Sequence, residues 1–167
     1  IFDMSPRNLT VALALAIALA AGIIVAARNQ APVAPTSAMV LPASKPVPAF
    51  SLLNQFGEPV DQSVFRGQWD LVFFGFTHCP DICPTTLQVL AAAKTALAEQ
   101  GRELLPRIVL VSVDPERDTP ELLAQYVDYF GDGKLGLTGT LEELRKLTGG
   151  IGIYFEKRPG EGDDYAI

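Results

Sequence analysis

A stretch that starts as a strand, turns through two cysteines and leaves as a helix constrains this chain more than any other. It reads Phe73-Phe74-Gly75-Phe76-Thr77-His78-Cys79-Pro80-Asp81-Ile82-Cys83-Pro84, and it holds both cysteines and the only histidine of the 167 residues. The apolar run Leu71 to Phe76 has strand character, and Thr85 to about Glu99 has a helical pattern. Side chains four positions apart share a helix face, so Cys79 and Cys83 come close enough for a disulfide, whose Cα atoms lie about 4.4–6.8 Å apart. They are equally close enough to hold one soft metal ion. Pro84 suits a first helical turn, where its missing N–H is no loss. Cys83 then sits at the positive helix end, which lowers a thiol pKa. Asp81 between the cysteines opposes that effect and favours a bound cation. From spacing alone a structural disulfide, two buried thiols and a reactive thiol site all stay open.

Composition narrows the partners. The chain is 49% hydrophobic with a formal charge of −6, enough for one ordinary core and unsuited to nucleic-acid binding. Two cysteines are too few for a disulfide framework.

Leu9 to Ala27 carries no charge, with Thr10 its only hydroxyl and Arg7 and Arg28 on either side. As a helix it spans roughly 28 Å, close to a bilayer's hydrocarbon core of about 30 Å. Residues 8–28 therefore read as a transmembrane anchor behind a short segment, 1–7. A cleavable signal peptide competes, but its apolar region is usually only about 7–15 residues long. Ile1, Phe2 and Asp3 precede Met4, the more natural start, and read as an upstream addition. Residues 29–48, with prolines at 32, 35, 42, 46 and 48, form a Pro/Ala-rich tether.

Residues 49–167 form the globular domain. Phe50 to Val60 suggests a short hairpin turned at Gly57. Trp69 to Phe76, apolar on both faces, reads as a central strand covered by helices. Leu87, Leu90, Ala91 and Leu97 give the next helix an inward stripe, and Arg107 to Val113 is a second central strand. After it, Asp118 or Thr119 caps a helix that Pro120 and Glu121 open. Thr140-Leu141-Glu142-Glu143 is a capping box for a helix closed by Gly149-Gly150. Ile151 to Phe155 reads as a strand, Lys157 to Asp164 as a polar turn, and Tyr165-Ala166-Ile167 as the start of another strand.

The order strand, cysteine loop, helix, strand, helix resembles a thioredoxin-like fold. The motif from Phe76 to Leu87 resembles the signature of the Sco/SenC family. Val113-Asp114-Pro115-Glu116-Arg117-Asp118-Thr119-Pro120-Glu121-Leu122 resembles that family's second motif. The resemblance, from about Phe50 to Ile167, implies an α/β, thioredoxin-like domain behind an N-terminal transmembrane helix. It implies a copper metallochaperone that binds Cu(I) through Cys79 and Cys83 and supports assembly of the cytochrome c oxidase copper centre. The implied partner is the copper-accepting oxidase subunit. The implied location is the inner (cytoplasmic) membrane, single pass, with the domain in the periplasm. It also places Asp114 near the cysteine loop.

The sequence departs from the family at one ligand. The family's copper-binding histidine falls just past Ile167, so the chain is expected to be a fragment. His78 does not match that position and is expected to be an exposed loop residue. Two other functions compete. One is thiol–disulfide exchange with Cys79 and Cys83 as redox pair, acting on the oxidase subunit's cysteines. The other is a peroxidase, which needs one activated thiol and an arginine that the sequence does not place.

Overall fold

A computed structural model describes residues 6–28, 39–159 and 165–167. The chain divides into two compact units, Ile1–Ser44 and Lys45–Ile167. In the first, helix α1 runs Pro6–Arg28, and its described side chains, 9–25, are all exposed. Among the described residues no helix is long and apolar enough to cross a membrane. The part of α1 with described side chains measures about 26 Å, short of the roughly 30 Å of a hydrocarbon core. Half of the expected tether, 29–38, lies outside the described residues; 39–48 has no regular structure.

The second unit is built on a five-stranded sheet. Its elements are β1 (Leu52–Asn54), β2 (Pro59–Val60), a 3-10 turn (Gln62–Phe65), β3 (Asp70–Gly75), α2 (Ile82–Glu99), β4 (Arg107–Ser112), α3 (Pro120–Tyr129), β5 (Leu135–Thr138) and α4 (Leu141–Ile151). The strand order is β2-β1-β5-β4-β3. β3, β4 and β5 run parallel, while β1 is antiparallel to both β2 and β5. The predicted hairpin is therefore present, with Gly57 at φ +76 in its turn. β6 (Arg158–Pro159) and β7 (Tyr165–Ala166) form a separate antiparallel pair.

Alternation along β4 explains the layers, because successive strand side chains point to opposite faces. Ile108 and Leu110 join Leu87 of α2 and Leu123 and Val127 of α3 on one face. Val109 and Val111 join Leu52, Leu137, Leu144 and Leu147 on the other, under α4. β3 obeys the same rule, with Leu71 and Phe73 toward α2 and α3 and Phe74 toward α4.

Three readings of the sequence need correction. β3 is not central: it is the edge strand of the described sheet, with Val72 40% exposed. Apolar residues on both faces record the covering helices, not the place of a strand within its sheet. The last helix is not closed by Gly149-Gly150; it continues through both to Ile151, and Gly152 caps it at φ +87. Ile151 to Phe155 is not a strand: Ile151 ends α4 and 153–157 are irregular. The capping box is half formed. Thr140 accepts the Glu143 N–H at 3.3 Å, but Glu143 turns away to accept the Ser51 N–H at 2.8 Å.

Candidate functional site

The cysteine loop leaves the carboxyl end of β3 and enters α2, as its sequence predicts. Ile82 opens the helix, so Cys83 and Pro84 lie in its first turn. Those first N–H groups have no partner within the helix, and one of them finds sulfur: the Cys83 N–H donates to Cys79 Sγ at 3.4 Å. Both cysteines are free thiols and both are buried, at 9% and 4% exposure. The structure thus brings the two predicted site residues together.

Gly75 makes room for them. A Cβ there would lie 2.7 Å from the Phe73 ring and 3.1 Å from Cys83 Sγ, closer than such atoms approach. Any other residue at the end of β3 would push against the sulfur.

The second motif holds the loop from the neighbouring strand. Ser112 pairs with Gly75 in the β3–β4 register, and the Val113 N–H donates to Gly75 O at 2.9 Å. Asp118, fully buried, accepts the Ser112 hydroxyl at 2.6 Å, the Thr77 hydroxyl at 2.6 Å and the Thr77 N–H at 3.0 Å. Thr77 stands two residues before Cys79, so one carboxylate ties the cysteine loop to both the β4 end and the start of α3. Thr119, not Asp118, caps α3, accepting the Leu122 N–H at 3.3 Å. Asp114 is buried at 2% exposure and pairs with Arg117, whose guanidinium lies 5.8 Å from the centre of the Phe76 ring. The Asp114–Asp118 loop therefore packs beside the cysteine loop, as expected.

His78 is half exposed at 51%; its Nδ1 lies 3.1 Å from the Thr77 hydroxyl and 3.9 Å from Asp118 Oδ1. No group of three or more His, Cys, Asp and Glu side chains able to hold a metal occurs among the described residues. The soft donor atoms that the loop brings together are the two sulfurs.

The two thiols are unequal. Burial pushes the Cys79 thiol up, but the Cys83 thiol and the N–H groups of Cys83, Asp81 and Ile82 outweigh it and hold Cys79 below its ordinary value. Asp81 thus acts on Cys79 through its backbone. Burial pushes Cys83 up to about 12, helped by the hydrogen bond to Cys79 and opposed by the Phe76 N–H. Paired, buried sulfurs suit a soft ion such as Cu(I). One activated thiol beside a protonated neighbour also suits disulfide exchange.

The family model described as SCO1/SenC matches residues 40–167. The chain belongs to the SCO1/SenC family. A mitochondrial SCO2 homolog of Mus musculus is 41% identical over 71% of this chain and 47% of its own length. The chain spans between 35% and 63% of the length of the first curated relatives it matches. Among solved structures, the copper-bound ScoI of Arabidopsis thaliana is 39% identical, with a TM-score of 0.66 over 71% of this chain and 74% of that one. BsSco is 27% identical, with a TM-score of 0.57 over 71% of each chain. Its structure is described as identifying a disulfide switch in a member of the Sco family of cytochrome c oxidase assembly proteins. The fold of this SCO1/SenC chain is accordingly the mixed α/β arrangement of the Sco structures, and copper is the metal held by the solved relatives described as copper-bound.

Sequence reading missed one residue of this neighbourhood: Asp118 carried only a capping role. A helix start explains an Asp so well that a contact across the fold leaves no local trace.

Proposed function

We propose that this SCO1/SenC chain is a membrane-anchored copper metallochaperone that carries Cu(I) on Cys79 and Cys83. It delivers the ion to the copper-accepting subunit of cytochrome c oxidase. The observation that carries this reading is the reduced, buried, hydrogen-bonded thiol pair. Cu(I) accepts sulfur and low coordination numbers, and a metal strips the proton from a coordinating thiol. The high pKa of Cys83 therefore does not prevent binding; it makes uptake release protons. Thiolates of the acceptor then displace Cys79 and Cys83 in turn, and the leaving sulfurs recover their protons.

The anchor rests on α1. Its 23 residues span about 34 Å at 1.5 Å each, and Leu9, Leu13, Ile17 and Ile24 project exposed from it. The domain then stands in the periplasm, on the outer side of the cytoplasmic membrane.

A second reading is supported by the unequal thiols. The Cys79 thiolate attacks a disulfide of the oxidase subunit and forms a mixed disulfide. Cys83 then loses its proton and closes the Cys79–Cys83 disulfide, releasing the subunit as dithiol. Anaerobic incubation of the Cu(I)-loaded chain with that subunit's copper-binding domain separates the two. The metallochaperone reading expects copper to leave this chain for the reduced domain. Reduction of the oxidised domain by metal-free protein, without transfer of copper to its reduced form, would contradict it.

A further inference from the structure

Among the described residues of the second unit, five large apolar side chains are at least 74% exposed: Phe56, Trp69, Leu104, Tyr129 and Tyr154. Single exposures of this kind are ordinary on a protein surface, but four of these five share one end of the sheet. β3, β4 and β5 run parallel, and all begin at that end. Trp69 precedes β3, and its carbonyl accepts the N–H of Arg107, the first residue of β4, at 2.9 Å. Leu104 lies in the loop that enters β4, and Tyr129 ends α3 ahead of β5. Phe56 follows β1, which is antiparallel to β5, and the neighbouring Gln55 amide donates to Lys134 O at 3.1 Å, just before β5. β1, β5, β4 and β3 are adjacent in that order. At about 4.8 Å between strands, the row from Phe56 to Trp69 is roughly 14 Å long. The cysteine loop leaves the opposite end, about 20 Å away along the six residues of β3.

The tether arrives at the same end as the row. α4 runs back from the carboxyl end of β5, and Pro48 lies against Gly150 in its last turn. Val47 shares a groove with Gln68 and Asp70, at the start of β3.

We propose that this end of the domain is a membrane contact: Phe56, Trp69, Leu104 and Tyr129 rest in the headgroup region of the bilayer, and the cysteine loop points away from it. The proposal rests on the membrane anchoring proposed above. A chain held by its anchor presents to the bilayer the end at which its tether arrives. The tether also keeps the domain at high local concentration beside the surface, so a weak attraction is enough. Trp and Tyr suit that place, because their rings have an apolar body and a polar edge and collect at membrane–water interfaces. Charge is not what draws this end down. The exposed Arg66 and Arg102 are offset by exposed Glu58, Glu103 and Asp132, so the contact does not depend on anionic lipid. Its consequence for copper delivery is that the thiol loop is presented outward, where an acceptor domain standing off the membrane meets it.

Trp69 is the only tryptophan of the chain, so its fluorescence reports on this end alone. The full chain is reconstituted in phosphatidylcholine bicelles, with and without phosphatidylglycerol, and its flotation with vesicles of the same lipids is measured in parallel. Expected is Trp69 emission shifted to the blue of free tryptophan in buffer, shielded from iodide, and quenched more by lipid brominated near the headgroup than near the chain end. Both lipid mixtures should give the same quenching. A variant carrying Phe56→Ser and Leu104→Ser, both at exposed positions, should lose most of it, since two of the four contacts are gone. Trp69 open to iodide and untouched by brominated lipid, in a chain that floats with vesicles, overturns the contact and leaves the anchor standing. Shielding from iodide without quenching by brominated lipid means that protein, such as a second copy, covers this end, and also overturns it. So do quenching that needs phosphatidylglycerol and quenching unchanged in the double variant. A chain that does not float with vesicles overturns the anchor reading as well.

Discussion

Asp118 grips Thr77 twice: one carboxylate oxygen accepts the threonine hydroxyl at 2.6 Å, and the other accepts its N–H at 3.0 Å. These bonds join the cysteine loop to the β4–α3 turn, and the Ser112 hydroxyl completes the set at 2.6 Å. Asp118→Ala leaves a part-buried N–H and two hydroxyls without their acceptor. It should cost on the order of 3 kcal/mol, since each stranded group costs about 1–3. Urea unfolding of the metal-free domain measures this. A loss below about 1 kcal/mol would mean that the loop is held by its own turn.

Gly75→Ala should act directly on the thiol site. The new methyl meets the Phe73 ring and Cys83 Sγ, and overpacking of a filled core costs about 1–3 kcal/mol. We expect lower stability together with weaker Cu(I) binding, measured by denaturation and chelator competition. Unchanged copper affinity would show that the sulfur has room to move.

The unequal thiols set an order of reaction. Cys79, held below its ordinary pKa, should be alkylated first at neutral pH. Peptide mapping after brief iodoacetamide treatment checks this, and faster labelling of Cys83 would contradict it. Stability should follow the opposite thiol at high pH. Cys83 keeps its proton in the folded state up to about 12, against an ordinary value of 9.0. The unfolded chain then binds fewer protons than the folded one, and stability falls as pH rises between these values. Cys83→Ala should lose less stability than the unmutated chain over that interval. Equal pH slopes would remove Cys83 as the cause.

The anchor makes a prediction of its own. If α1 spans the bilayer, the expressed chain should stay with membranes through carbonate extraction. A soluble form starting near Gln30 or Ala38 would point to a cleaved signal.

The site was more legible in the sequence than the sheet around it. Cys79 and Cys83 announce themselves by spacing, a preceding apolar run and Pro84. β5 left no such sign, although it lies between β1 and β4. Leu135-Gly136-Leu137-Thr138 is short and interrupted by glycine, where an added Cβ would press on Leu123 at 3.3 Å. Gly149 and Gly150 mimicked a helix stop. Gly149 has open space around it, and Gly150 lets Pro48 approach to within 2.5 Å of where a Cβ would be. Asp118 was hidden for a different reason: its partners Thr77 and Ser112 lie in other elements, and a chain read in order shows only neighbours.

The central claim is that Cys79 and Cys83 together hold Cu(I), and anaerobic Cu(I) titration tests it most directly. Copper and a disulfide compete for the same sulfurs. The reduced chain should take up close to one Cu(I), the oxidised chain essentially none until a reductant is added, and Cys79→Ser and Cys83→Ser should each lose tight binding. Tight one-to-one binding by either single variant, or by the oxidised chain, would contradict the two-thiolate site.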